Sequence, residues 1–172
     1  MTPRQTRKEK KPLKVDAPLY QGSAEVLIQA PPQKVYKLVS NLERMGEWSP
    51  ECYRCEWLDE AENAAIDALF KGWNRAGLAR WSTTCRIIAA EPGRELAWEV
   101  IEPFGRVTTR WRYRFETSDD GCKLVESLEV LNIPFMIKLV QLLLMGGYRR
   151  RMASVQKRMH QTLERIKVAV EA

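Results

Sequence analysis

The sequence holds a single histidine, His160, and four cysteines, Cys52, Cys55, Cys85 and Cys122, in 172 residues. A zinc site draws its ligands from clustered cysteine and histidine, and no second C-x-x-C or histidine pair exists to complete one around Cys52-Tyr53-Arg54-Cys55. That segment alternates like a strand, where positions three apart face opposite sides, so four ordinary reduced thiols are expected. A nucleophile elbow, a phosphate loop and a zinc set are all missing, and no cofactor or metal is expected. Long apolar runs are missing too. The stretch opening at Ile133 is broken by Lys138 and Gln141 and ends at Gly146-Gly147. It falls short of the roughly 20 residues that span a bilayer, and the N-terminus is charged rather than apolar, which points to a cytoplasmic protein. The body of the chain also has little net charge. Of the formal +6, Arg4, Arg7, Lys8, Lys10, Lys11 and Lys14 against Glu9 supply +5, leaving about +1 for the rest. A nucleic-acid-binding domain carries its charge on the folded surface, so no nucleic acid partner is expected.

At 45% hydrophobic, a chain of this length suits one globular domain burying roughly 70% of its unfolded surface. Residues 1–20 carry Pro3, Pro12 and Pro18 without hydrophobic periodicity and read as a basic disordered tail; the domain is assigned to residues 21–172. The tail is expected to solubilise, with transient contact to an anionic membrane as the alternative. Gly22 to Gln29 alternates as a strand with Ala24, Val26 and Ile28 inward. Pro31-Pro32 opens a helix striped by Val35, Leu38, Val39 and Leu42, and Glu43 to Trp48 forms a second short one.

From Glu51 the apolar period becomes two. Turn signals at Glu60 to Asn63, Asn74 to Gly77, Glu91-Pro92-Gly93, Glu102 to Gly105 and Asp119-Asp120-Gly121 divide the segment into six strands joined as hairpins. Inward faces are assigned to Trp81, Thr83, Cys85, Ile87 and Ala89, then Leu96, Trp98 and Val100, then Val107, Thr109, Trp111, Tyr113 and Phe115. Arg80, Arg86, Glu99, Arg110, Arg112, Arg114 and Glu129 point outward, where opposite charges pair across strands. Ile133 to Val170 reads as a long helix with Pro134 in its first turn and a break at Gly146-Gly147. Its stripe is Met145, Tyr148, Met152, Val155, Met159, Thr162, Ile166 and Ala169, with Arg149, Arg150, Arg151, Lys157, Arg158 and Lys167 on a solvated face. The half from Phe135 to Met145 is apolar nearly all round.

This order is that of an α+β helix-grip fold: a seven-stranded antiparallel sheet curled around a long C-terminal helix, with two short helices after strand one. Ala30-Pro31-Pro32 with Val35-Tyr36, Leu42-Glu43-Arg44 and Glu47-Trp48-Ser49-Pro50 resembles the polyketide cyclase/dehydrase and lipid-transport family, of the START-like SRPBCC superfamily that includes the birch-pollen allergen. Phe70-Lys71-Gly72-Trp73-Asn74-Arg75, Glu91-Pro92-Gly93-Arg94 with Trp98, Trp111-Arg112-Tyr113-Arg114-Phe115 and Val125-Glu126-Ser127 resemble its bacterial branch. The resemblance covers roughly residues 22–170. It implies a cavity between sheet and helix but transfers no catalytic residue, because the family joins aromatase/cyclases with carriers.

Candidate ligand-binding residues are those inward positions that are aromatic or polar: Trp81, Thr83, Trp98, Thr109, Trp111, Tyr113, Glu126 and Asn74, the last in a turn at the rim. Glu126 lies between Leu124, Leu128 and Val130 on an alternating strand. Its carboxyl is desolvated if inward, able to move a proton or to fix a ligand's hydroxyl or amine. The expected partner is a hydrophobic small molecule such as a lipid, isoprenoid or polyketide, to be bound or also transported. The alternatives are a cyclase/dehydrase-type enzyme and a peripheral membrane lipid carrier that docks through Phe135 to Met145. His160, beside the helix stripe, is expected at a solvated edge.

Overall fold

The structure is a computed structural model that describes residues 17–103, 105–134, 139, 143 and 147–172. Strand β1 (Tyr20–Ile28) leads into helix α1 (Pro32–Val39), a 3₁₀ turn at Leu42–Arg44 and helix α2 (Met45–Trp48). Six strands follow: β2 (Cys52–Trp57), β3 (Leu69–Ala76), β4 (Ala79–Glu91), β5 (Glu95–Ile101), β6 (Val107–Ser118) and β7 (Gly121–Val130). Helix α3 (Tyr148–Glu171) ends the chain. All seven strands form one antiparallel sheet in the order β1-β7-β6-β5-β4-β3-β2, so β1 closes against the last strand of the meander. This is the helix-grip arrangement, with α3 packed against β1, β7, α1 and α2.

Each element follows from local chemistry. Pro32 occupies the first turn of α1, where its missing N–H costs nothing, and Val35, Tyr36 and Val39 turn inward. Gly93 and Gly121 take positive φ in the β4–β5 and β6–β7 turns. A Cβ at Gly121 would stand 2.4 Å from the Ile28 carbonyl oxygen, so no side chain fits there. Gly147, with φ of 92°, caps the start of α3, so this helix begins at the glycine pair where the sequence predicted an interruption. The long helix does not begin at Ile133: Ile133 and Pro134 are irregular, and most of the apolar half from Phe135 to Met145 lies outside the described residues.

The buried stripe of α3 is Met152, Val155, Met159, Thr162, Leu163, Ile166 and Val170. Ala169 is exposed, because the helix meets β1 and α1 with a wider face that takes in Leu163 and Val170. Fully burying Leu, Ile or Phe side chains stabilises by about 1.5–3 kcal/mol each, and Ile28, Leu42, Phe70, Ile87, Leu96, Leu124, Leu163 and Ile166 are all below 2% or at 2% exposure. The outer face carries the expected ion pairs. Glu99 meets Arg110 at 2.7 Å and Arg86 at 3.4 Å, Arg110 also reaches Glu129 at 3.2 Å, and Arg112 pairs with Glu95. Among the described residues no helix is long and apolar enough to cross a membrane.

Irregular pairing alters three of the assigned faces. The register shifts between Cys52 and Arg54, between Ile87 and Ala89, and between Val100 and Ile101. A bulge adds one residue to one strand and reverses the alternation beyond it. Ala90 rather than Ala89 therefore sits opposite Leu96 and packs on the core. Val107 lies across the irregularity from Thr109, and Thr108 is buried beside it.

Candidate ligand-binding site

Between the concave face of the sheet and α3 lies a cavity of about 550 Å³, within the ~300–1,000 Å³ range of small-molecule sites. Its walls are largely apolar: Phe70, Trp98, Val100, Trp111, Leu128 and Val130 from the strands, and Met152, Val155 and Met159 from α3. Aromatic side chains tile the sheet side. Phe70, Trp98 and Tyr113 follow one another with ring centroids 5.8 Å apart at each step, and Trp57 packs edge-on against Phe70 outside the cavity wall. All eight residues assigned from the sequence, Asn74, Trp81, Thr83, Trp98, Thr109, Trp111, Tyr113 and Glu126, line this one space.

Asn74 reaches it differently from the expectation. It is a β3 residue paired with Trp81, not part of a turn, and the turn falls later at Gly77. Its Nδ2 donates to Thr83 Oγ1 at 3.3 Å and to the Gly72 carbonyl at 3.4 Å.

Glu126 is the unusual group. Alternation along β7 points Cys122, Leu124, Glu126, Leu128 and Val130 to one buried face, leaving Glu126 as a residue 4% exposed. Tyr113, its partner across the β6–β7 ladder, donates its hydroxyl to Glu126 Oε1 at 2.7 Å. Glu126 Oε2 has no hydrogen-bond partner among the described residues. Burial pushes the Glu126 carboxyl up to about 8, against a smaller lowering by the tyrosine hydroxyl. Burial, and then the carboxylate itself, hold Tyr113 well above the ordinary phenol range. At neutral pH the pair is an acid and a phenol, both uncharged. With Tyr113 donating to Oε1, the acid proton is left to the unpartnered oxygen. Val130 ends β7 at the polar end of the cavity, and Glu126 sits four residues further in, about 13 Å at ~3.3 Å per residue.

The polar end was not foreseen. Arg151 and Arg158 both bind Glu51: Arg151 with its two terminal nitrogens, one at 2.7 Å, and Arg158 at 2.7 Å. Arg158 also donates to the Arg75 carbonyl at 3.3 Å, and the Arg151 guanidinium stands 5.6 Å from the Trp81 ring. Their side chains are only 12% and 24% exposed, so these two leave the solvated face assigned to them, whereas Arg149 and Arg150 are exposed as expected. Positions 151 and 158 are seven apart, on one side of α3 beside Met152, Val155 and Met159, and that spacing was the available signal. Arg80, Glu102 and Asn132 complete this end; Arg80, assigned outward, is exposed but lines the opening. Thr108, Cys52 and Phe70 are further wall residues that the face assignments left out. His160 is exposed.

The geometry defines a class, a helix-grip protein with an apolar cavity that holds a few isolated polar groups. More particularly, the chain belongs to the polyketide cyclase / dehydrase and lipid transport family, whose pattern matches residues 21–171. A polyketide-cyclase-like protein of Corynebacterium glutamicum, solved by NMR, is 29% identical over 88% of both chains, with a TM-score of 0.53. The Zhui aromatase/cyclase of Streptomyces sp. R1128 is 16% identical, with a TM-score of 0.69 over 88% of this chain and 93% of its own. The di-domain aromatase/cyclase StfQ of the steffimycin biosynthetic pathway is 11% identical, with a TM-score of 0.67 over 88% of this chain and 50% of its own. At the identities of these last two the likeness is one of fold. No curated protein matches significantly.

Proposed function

We propose that the protein binds, and in binding can carry, an apolar or amphipathic small molecule whose hydrogen-bond-accepting group meets protonated Glu126. The observation that carries this reading is the unpartnered Glu126 oxygen in the wall of a mainly apolar cavity. A buried polar atom without a partner costs about 1–3 kcal/mol, and a ligand carbonyl, ether or hydroxyl recovers that cost. Lipids, isoprenoids and polyketides combine such a group with enough apolar surface to fill the space between Trp98, Trp111 and α3. Family membership supports the same ligand chemistry.

Isothermal titration with long-chain ketones, isoprenoid alcohols and aromatic polyketides at pH 6 to 9 tests this. Neutral acceptors bind with constant affinity at low pH and lose it above pH 8, as Glu126 ionises. Glu126→Gln keeps the donor and abolishes the pH dependence, whereas Glu126→Leu loses affinity for ketones and spares hydrocarbons. If no member of the panel binds, the cavity is not a site for such molecules; if affinity rises with pH, the ligand is an amine.

One observation also favours a second reading, catalysis of the aromatase/cyclase kind. A carboxyl with a pKa near neutrality, hydrogen-bonded to a phenol inside a cavity, is poised to donate or accept a proton. Turnover of a poly-β-ketone chain that Glu126→Gln abolishes without loss of binding would establish it.

A further inference from the structure

The bulge in β2 changes what the C-x-x-C segment can do. In a regular strand Cys52 and Cys55 would face opposite ways, but the register shift between Cys52 and Arg54 brings both to one side. Their sulfurs are 3.4 Å apart, and Cys55 Sγ lies 3.9 Å from Met45 Sδ. Both thiols are free and buried, at 9% and 3% exposure, and Cys52 lines the cavity. Gly72 faces the pair from β3: a Cβ there would stand 3.5 Å from Cys52 Sγ and 3.8 Å from Cys55 Sγ. With glycine at that position no side chain stands between β3 and the pair, and Cys52 shares the cavity wall with Gly72 while Cys55 lies behind it.

We propose that Cys52 and Cys55 form a redox modification site, a dithiol that a small hydroperoxide entering the cavity converts to an intramolecular disulfide and that a thiol reductant restores. In the first step Cys52 sulfur attacks one peroxide oxygen, the O–O bond breaks, and the departing oxygen leaves as water or alcohol with the Cys52 proton. In the second, Cys55 sulfur displaces the hydroxyl of the Cys52 sulfenic acid, forming the S–S bond, and a water leaves with the Cys55 proton. The two sulfurs together lose two electrons and the peroxide gains them. The roles follow from the contact between the thiols, which holds Cys52 below its ordinary pKa while the same contact and burial raise Cys55. Cys85 is a wall residue as well, but its thiol donates to Thr83 Oγ1 at 3.8 Å and burial pushes it up to about 12, so it stays a spectator.

Intact-mass measurement and non-reducing peptide mapping of the reduced full chain after hydrogen peroxide treatment test the site. Cleavage after Arg54 separates the two cysteines, so the disulfide joins two peptides. The expected result is a loss of two hydrogens, a Cys52–Cys55 link reversed by dithiothreitol, and the same link in Cys85→Ser. Sulfinic or sulfonic acids on separate cysteines, a link through Cys85, or thiols that react only after denaturation would overturn the proposal. Cys52→Ser and Cys55→Ser each abolish the link, and mapping of the wild-type chain decides the matter should either variant fail to fold. Access through the cavity rests on the reading of that space as a ligand site: a ligand shown by calorimetry to bind slows disulfide formation several-fold. An unchanged rate with such a ligand bound would overturn the cavity route while leaving ligand binding itself standing.

Discussion

Keeping Glu126 buried and half-partnered makes the fold pH-dependent, and Glu126→Gln exposes the effect. The carboxyl titrates at its ordinary value of 4.5 in the unfolded chain and at about 8 in the folded one. The folded pKa is the higher one, so the stability tied to this group is fully present below 4.5 and is lost as pH rises through 8. A gap of roughly 3.5 units at 1.36 kcal/mol per unit corresponds to about 5 kcal/mol, at a slope of about 1.4 kcal/mol per pH unit inside the window. Glutamine has nearly the same shape, still accepts from Tyr113, and does not ionise. Near pH 4 wild type and Glu126→Gln should be about equally stable. By pH 7 the variant should lead by about 3 kcal/mol, or roughly 6–12 °C in Tm for a chain of this size. Urea unfolding from pH 4 to 9, with m-values shared between the two proteins, reads the difference directly. Parallel curves across this range would refute the burial of an acid at position 126.

Further outcomes follow from other parts of the structure. Glu51→Gln leaves two largely buried guanidiniums without their carboxylate and should lower stability by about 1.5–3 kcal/mol, seen as a lower urea midpoint at unchanged slope. Arg112→Gln removes a partly exposed ion pair with Glu95 on the outer sheet face and should cost no more than about 1 kcal/mol, with ligand affinity unchanged in calorimetry. Leu163→Ala, at a site 1% exposed, should cost about 2–5 kcal/mol in the same unfolding assay. Deleting residues 1–16 should leave Tm within a few degrees by calorimetry, because that stretch has no apolar period to bury.

Period-two patterning exposed the pocket because the cavity wall is mostly regular strand. Trp98, Thr109, Trp111, Tyr113 and Glu126 sit where alternation puts them, on β5, β6 and β7, and Glu126 stood out as the one carboxyl in an apolar row. The misassigned strand faces fall where alternation breaks. The bulges beside Cys52, Ile87 and Val100 involve Tyr53, Ile88 and Thr108, none of them a glycine, so no local signal marks them; they arise from how neighbouring strands align. The C-x-x-C sulfurs meet only because of the first of these. Arg151 and Glu51 are a hundred residues apart and their pairing depends on where α3 crosses the sheet, which composition on either segment does not encode. Asn74 looked like a turn residue, and the hairpin instead runs on to Gly77, the residue that takes positive φ.

Whether Glu126 is a protonated group within reach of a cavity-bound molecule is read from NMR titration of its carboxyl carbon, assigned by loss of the signal in Glu126→Gln. The expected midpoint is near 8 in the free protein and higher when a neutral ketone or alcohol saturates the cavity, since that ligand favours the protonated form. An ordinary midpoint near 4.5, or one that a bound ligand leaves unmoved, would contradict it.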